Sequence, residues 1–271
     1  MIKTRRLYTA LFIAVAVILI LPSSGCKKDE EPNRETSYTL KVQDVLGVTG
    51  TATFIESSKT ASTIRLQLNG APSGTHPAAL HMNTVAEGGA VVVALNPVDA
   101  SGSSTTSVNS LTYEQLIAYD GFIKVTKSSS EPDVVLVQGD IGGNVITDIN
   151  ISYPLVTIAD FGVSGTALFE KRENGNTLLT IDLNGTIAGE IYPATINLSS
   201  IATIGGGPVT KTLSNVNGTT GKSYTTIRKL DNGLDITYDN WLVYNGYINI
   251  YQTAPLYDNI ICHGNIGSNV D

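Results

Sequence analysis

The feature that most constrains the fold of this chain is that its second half repeats its first. Ser37-Tyr38 and Gly47-Val48-Thr49-Gly50-Thr51-Ala52-Thr53-Phe54 return as Ser152-Tyr153 and Gly162-Val163-Ser164-Gly165-Thr166-Ala167-Leu168-Phe169. Tyr119-Asp120-Gly121-Phe122-Ile123 returns as Tyr244-Asn245-Gly246-Tyr247-Ile248, and Gln138-Gly139-Asp140-Ile141-Gly142 as His263-Gly264-Asn265-Ile266-Gly267. The repeat divides the chain into copies at 36–150 and 151–271, each long enough to bury a core of its own. It also gives every polar residue an internal control, because a group needed only for the fold recurs at the matching position.

Within a copy the pattern is that of strands. Thr63-Ile64-Arg65-Leu66-Gln67-Leu68 alternates apolar and polar residues, as does Leu178-Leu179-Thr180-Ile181-Asp182-Leu183, which predicts strands with one wet face. Both runs end in Asn-Gly, at Asn69-Gly70 and Asn184-Gly185, a tight-turn signal. The apolar run Ala90-Val91-Val92-Val93-Ala94-Leu95 predicts a strand buried between sheets. No stretch keeps a helical period for three turns; 111–118 and its counterpart 235–242 predict one short turn of helix each. Only 15% of residues are charged, too few for many helical surfaces. The expectation is an all-β protein of two tandem Greek-key antiparallel β-sandwiches.

Residues 1–25 read as a cleaved secretory signal: Lys3, Arg5 and Arg6, an apolar run from Leu7 to Leu21, then Ser23-Ser24-Gly25. Gly25 directly before Cys26 resembles a bacterial lipobox, which implies diacylation of Cys26 and a membrane anchor worth about 0.8 kcal/mol per buried CH₂. Residues 26–35 form a polar tether beginning Lys27-Lys28-Asp29-Glu30-Glu31, and this pattern is similar to the surface-export signal of Bacteroidota lipoproteins. The expected location is the outer membrane, lipid-anchored and facing outward. Removing the three basic residues of the signal from a net charge of −7 leaves −10, which argues against nucleic acid as a partner.

Thr75-His76-Pro77-Ala78-Ala79-Leu80-His81, Gly88-Gly89, Leu95-Asn96-Pro97-Val98-Asp99 and Gly139-Asp140-Ile141-Gly142 resemble the bacterial CHRD (chordin-type) domain, a family similar in pattern to copper–zinc superoxide dismutase. The resemblance covers the first copy nearly end to end; the second keeps the frame. It implies immunoglobulin-like or dismutase-like sandwiches and a mostly non-catalytic extracellular module. The family commonly carries a histidine where Ala79 stands, and with it a pair two residues apart on one strand face; Ala79 removes that pair.

His76 and His81 are the metal-ligand candidates, but Tyr192 and Asn197 replace them in the second copy, and two ligands without a third rarely hold zinc or copper. Local hydrogen bonding is the competing account. His263, the remaining histidine, lies in the other copy, which argues against dismutase chemistry. Cys262 faces Val137 in the internal alignment and reads as a small buried hydrophobe. Gly218-Thr219-Thr220-Gly221-Lys222-Ser223 superficially suggests a phosphate loop, but Val216 stands where glycine is needed, so it reads as a hairpin loop. Trp241 and Tyr244 match Leu116 and Tyr119 and read as core anchors. Tyr192, Tyr251 and Tyr257 have no aromatic counterpart and are the ligand-contact candidates. Asp140, Asp148 and Asp160 lack calcium-loop spacing.

The chain is therefore expected to be a non-enzymatic cell-surface lipoprotein without a cofactor, acting as a structural or binding module toward an extracellular protein or glycan. The alternatives are a metal-binding, dismutase-like redox protein and a glycan-binding lipoprotein of a polysaccharide-uptake system.

Overall fold

The computed structural model describes residues 34–252 and 259–270. Cys26, Tyr257 and the signal segment lie outside the described residues. The first copy contributes β1 (Glu35–Val42), β2 (Thr49–Ser58), β3 (Ala61–Asn69), β4 (His76–Met82), β5 (Val91–Val98), β6 (Ser103–Val108), β7 (Gly121–Ser128) and β8 (Glu131–Ile141). They form one antiparallel sheet in the order β5-β4-β7-β8-β1-β2-β3-β6. The second copy contributes β9 (Ile146–Thr157), β10 (Ser164–Arg172), β11 (Thr177–Asn184), β12 (Ile191–Tyr192), β13 (Ala194–Leu198), β14 (Val209–Thr212), β15 (Val216–Asn217), β16 (Lys222–Ile227), β17 (Asn245–Tyr251) and β18 (Ile260–Gly267). Apart from the added pairing of β12 with β15, its order, β14-β13-β17-β18-β9-β10-β11-β16, is that of the first sheet strand for strand. Four residues, 142–145, separate β8 from β9.

The jumps from β3 to β4 and from β6 to β7 cross between distant parts of the sheet, which makes each copy a Greek key. Each sheet also curls until its ends meet. Asn96 N donates to Thr106 Oγ1 at 2.8 Å, and at the matching place Ser214 N donates to Thr225 Oγ1 at 2.9 Å. Inside the first curl lie Leu40, Phe54, Ile64, Leu66, Leu80 and Ile123; inside the second lie Phe169, Ile181, Ile196, Trp241, Ile248 and Ile250. These are the inward halves of the alternating runs, so burial of apolar area drives the curl.

Two local expectations are corrected. The run 90–95 is not a strand buried between sheets: β5 is an edge strand, with Val91 56% and Val92 39% exposed. An apolar run reports β-propensity, but where the strand falls in the sheet is decided by its partners. The Asn-Gly pairs do reverse the backbone, with Gly70 at φ +72° and Gly185 at φ +81°, yet they start crossovers rather than tight hairpins. A Cβ at Gly70 would lie 2.5 Å from Gly47 O, so glycine is needed there for space as well as for φ.

The short helical turns are α1 (Tyr113–Ile117) and α2 (Tyr238–Trp241). Thr112 caps α1, accepting from Gln115 N, while Gln115 Oε1 accepts from Thr112 N at 2.9 Å. In the second copy Asn240 Oδ1 accepts from Thr237 N at 2.9 Å. No helix among the described residues is long and apolar enough to cross a membrane.

Candidate functional site

Polar chemistry in this molecule gathers where the two copies meet. Arg172, at the end of β10, is 1% exposed. Its Nη1 donates to Asp140 Oδ2 of β8 at 2.8 Å and to Asn144 O at 2.6 Å, while its Nε has no partner among the described residues. Asp140 Oδ1 also accepts from Val85 N at 2.7 Å, yet burial outweighs these bonds and pushes its carboxyl above the usual range. Glu87 of the first copy accepts from Thr226 N at 2.7 Å and Thr226 Oγ1 at 2.8 Å in the second. Asp120 pairs with Arg228 Nη2 at 2.9 Å and accepts from Asn174 Nδ2 at 2.6 Å.

The residues of this joint are those at which the repeat is broken. Asp120 and Asp140 match Asn245 and Asn265. Strand register matches Arg172 to Ser57, Thr226 to Ser107 and Arg228 to Asn109. The first copy supplies the acids Glu87, Asp120 and Asp140, and the second the donors Thr226, Arg228 and Arg172. This signal was present in the internal alignment as paired charge differences, but nothing in a linear comparison says that Asp140 and Arg172 touch.

Beside the joint lies a cleft of about 850 Å³. Its walls are the outward faces of β1 and β8 on one side and of β9, β10 and β11 on the other. Alternation along the strands places Thr39 and Lys41, Gln138 and Asp140, Glu170 and Arg172, and Thr180 on these faces. Glu170 accepts no hydrogen bond among the described residues. Burial raises its carboxyl pKa, with Asp140 adding to the rise and Arg172 and Lys41 opposing it. Tyr38 also lines the cleft, but its place belongs to the fold. It packs on Phe54 at 5.0 Å and bonds to the backbone of Gly142, as Tyr153 packs on Phe169 at 5.5 Å and bonds to Gly267.

The residues singled out from sequence lie elsewhere. His76 is 1% exposed, with Nδ1 2.7 Å from Lys127 O and Nε2 2.9 Å from Pro72 O, so both ring nitrogens face carbonyl oxygens. His81 is 6% exposed; its Nδ1 meets Gly89 O at 2.9 Å and its ring stacks on Phe122 at 4.7 Å, and burial lowers its pKa. These surroundings do not fit a shared metal ion, and among the described residues no three His, Cys, Asp or Glu side chains gather as a ligand set. Cys262 is fully buried, with its thiol pushed up to about 12 by burial. Tyr192 is corrected as a ligand-contact candidate: it is 4% exposed, sits in the core and accepts from Ile187 N at 2.9 Å through its hydroxyl. An aromatic without a counterpart here serves a copy-specific loop. Tyr251 is half-buried, its hydroxyl 3.2 Å from Thr195 Oγ1 and from Asn249 Nδ2. The stretch 218–223 follows β15 and enters β16 through Gly221 at φ +71°, a hairpin turn. No protein-family model, curated protein or solved structure matches the chain.

Proposed function

We propose that this chain is a non-enzymatic binding module of the CHRD type, anchored by an acylated Cys26 and displayed on the outer face of the outer membrane, and that it takes its ligand in the cleft between the copies. The observation that carries this reading is the cleft itself. It is built from both copies and lies beside a joint made of residues the repeat does not share. A copy serving only as a spacer would not need such a joint. The part-exposed Glu170 carboxylate, which faces the cleft near Arg172 and Lys41, is open to a ligand that enters from solvent.

Two measurements test this reading. Protease added to intact cells is expected to degrade the protein; full protection would remove the outward orientation. Retention of the mature chain on an immobilised extracellular matrix carrying both protein and polysaccharide is expected, and should be lost in Thr39→Trp and Thr180→Trp, which fill the cleft. Retention unchanged by both would remove the cleft from the function.

A further inference from the structure

The cleft's chemistry restricts what it can hold. Its walls come from β1, β8, β9, β10 and β11, with β1 laddered to β8 only at Lys41 and Val42 and β9 to β18 only at Val156 and Thr157. The charges are mixed. Arg172 is engaged by Asp140, which leaves Lys41 opposite Glu170 and Asp148, with no cationic excess to hold a polyanion. The rest of the polar lining comprises hydroxyls, from Ser37, Thr39, Thr180, Tyr38 and Tyr224, and the amides of Gln43, Gln138 and Asn150, which can both donate and accept. A carboxylate that accepts nothing from the protein, beside an ammonium and an amide, suits a ligand rich in O–H groups and carrying no net charge. The volume lies within the range of small-molecule sites.

Resting on the reading of the cleft as the binding surface, we infer that its ligand is a short neutral oligosaccharide, whose hydroxyls donate to Glu170 and accept from Lys41 and Gln138. Charge-assisted hydrogen bonds of this kind fix orientation and carry affinity, and Tyr224 lines the same cleft.

The test is calorimetric titration of the mature chain with neutral oligosaccharides, uronic-acid oligosaccharides and neutral peptides, with circular dichroism confirming that each variant is folded. Neutral oligosaccharides are expected to bind. Glu170→Gln and Lys41→Met should each weaken them about tenfold, the size of one lost charged hydrogen bond. Thr39→Trp should abolish binding, and Tyr251→Phe should leave it unchanged. Binding of only acidic sugars or peptides, still abolished by Thr39→Trp, overturns the ligand class and leaves the cleft as the site. Neutral-sugar binding that survives both Glu170→Gln and Thr39→Trp overturns the site as well, as does a panel in which nothing binds.

Discussion

Arg172 is the residue on which the two copies turn. A guanidinium that is 1% exposed must have its charge met locally, and Asp140 meets it. Removing one partner strands the other in a poorly solvated place. Arg172→Ala is therefore expected to lower stability by about 3 kcal/mol, read from urea unfolding, whereas Arg172→Met with Asp140→Asn should cost less than the two single changes summed. His81 makes a second residue-scale prediction. Burial lowers its pKa, so the unfolded chain binds the proton more tightly than the folded one. Its contribution is complete above the unfolded value of about 6.5 and is lost as pH falls below it. Urea midpoints measured between pH 7.5 and 5.5 should therefore fall less steeply in His81→Gln than in the parent chain; equal slopes would contradict the assignment. At this scale the sequence was legible for residues that recur, such as Tyr38 with Tyr153 and Phe54 with Phe169, because recurrence marks a role in the fold. It misdirected attention to Tyr192, where absence of an aromatic counterpart suggested surface and the structure places a core ring bonded to Ile187.

Among the elements, the two closing turns show how the repeat preserves geometry. Gly142, just after β8, and Gly267, the last residue of β18, have φ +57° and +60°. A Cβ at either would approach Tyr119 O or Tyr244 O within 2.3 and 2.2 Å. Gly142→Ala and Gly267→Ala are expected to destabilise by more than about 1 kcal/mol each, from strain at positive φ compounded by a backbone clash. Thr112→Ala, which removes only the cap of α1, should cost about 1 kcal/mol. Thermal melts rank these changes, and a glycine variant as stable as the parent would refute the close approach. The strands and the short helical turns were legible because alternation, capping residues and glycine are local signals. The edge position of β5 and the crossovers after Asn69-Gly70 and Asn184-Gly185 were not, since both depend on which distant strand each segment meets.

In the whole molecule, the two curled sheets are tied by Arg172–Asp140, Glu87–Thr226 and Asp120–Arg228 into one compact unit. Calorimetry is expected to show a single unfolding transition for the parent chain and two for Arg172→Ala combined with Glu87→Ala, because each copy retains its own core when the joint is cut. Two resolved transitions in the parent would mean the joint does not couple the copies. The sequence by itself determined that there are two copies, that each is a β-sandwich, and which glycines and aromatics hold it, because strand period, turn chemistry and core composition are properties of neighbouring residues. Only the tertiary structure decided that the copies' unmatched charges face one another and enclose a polar cleft. Asp140 and Arg172 stand 32 residues apart, and their pairing exists only after both sheets have curled and docked.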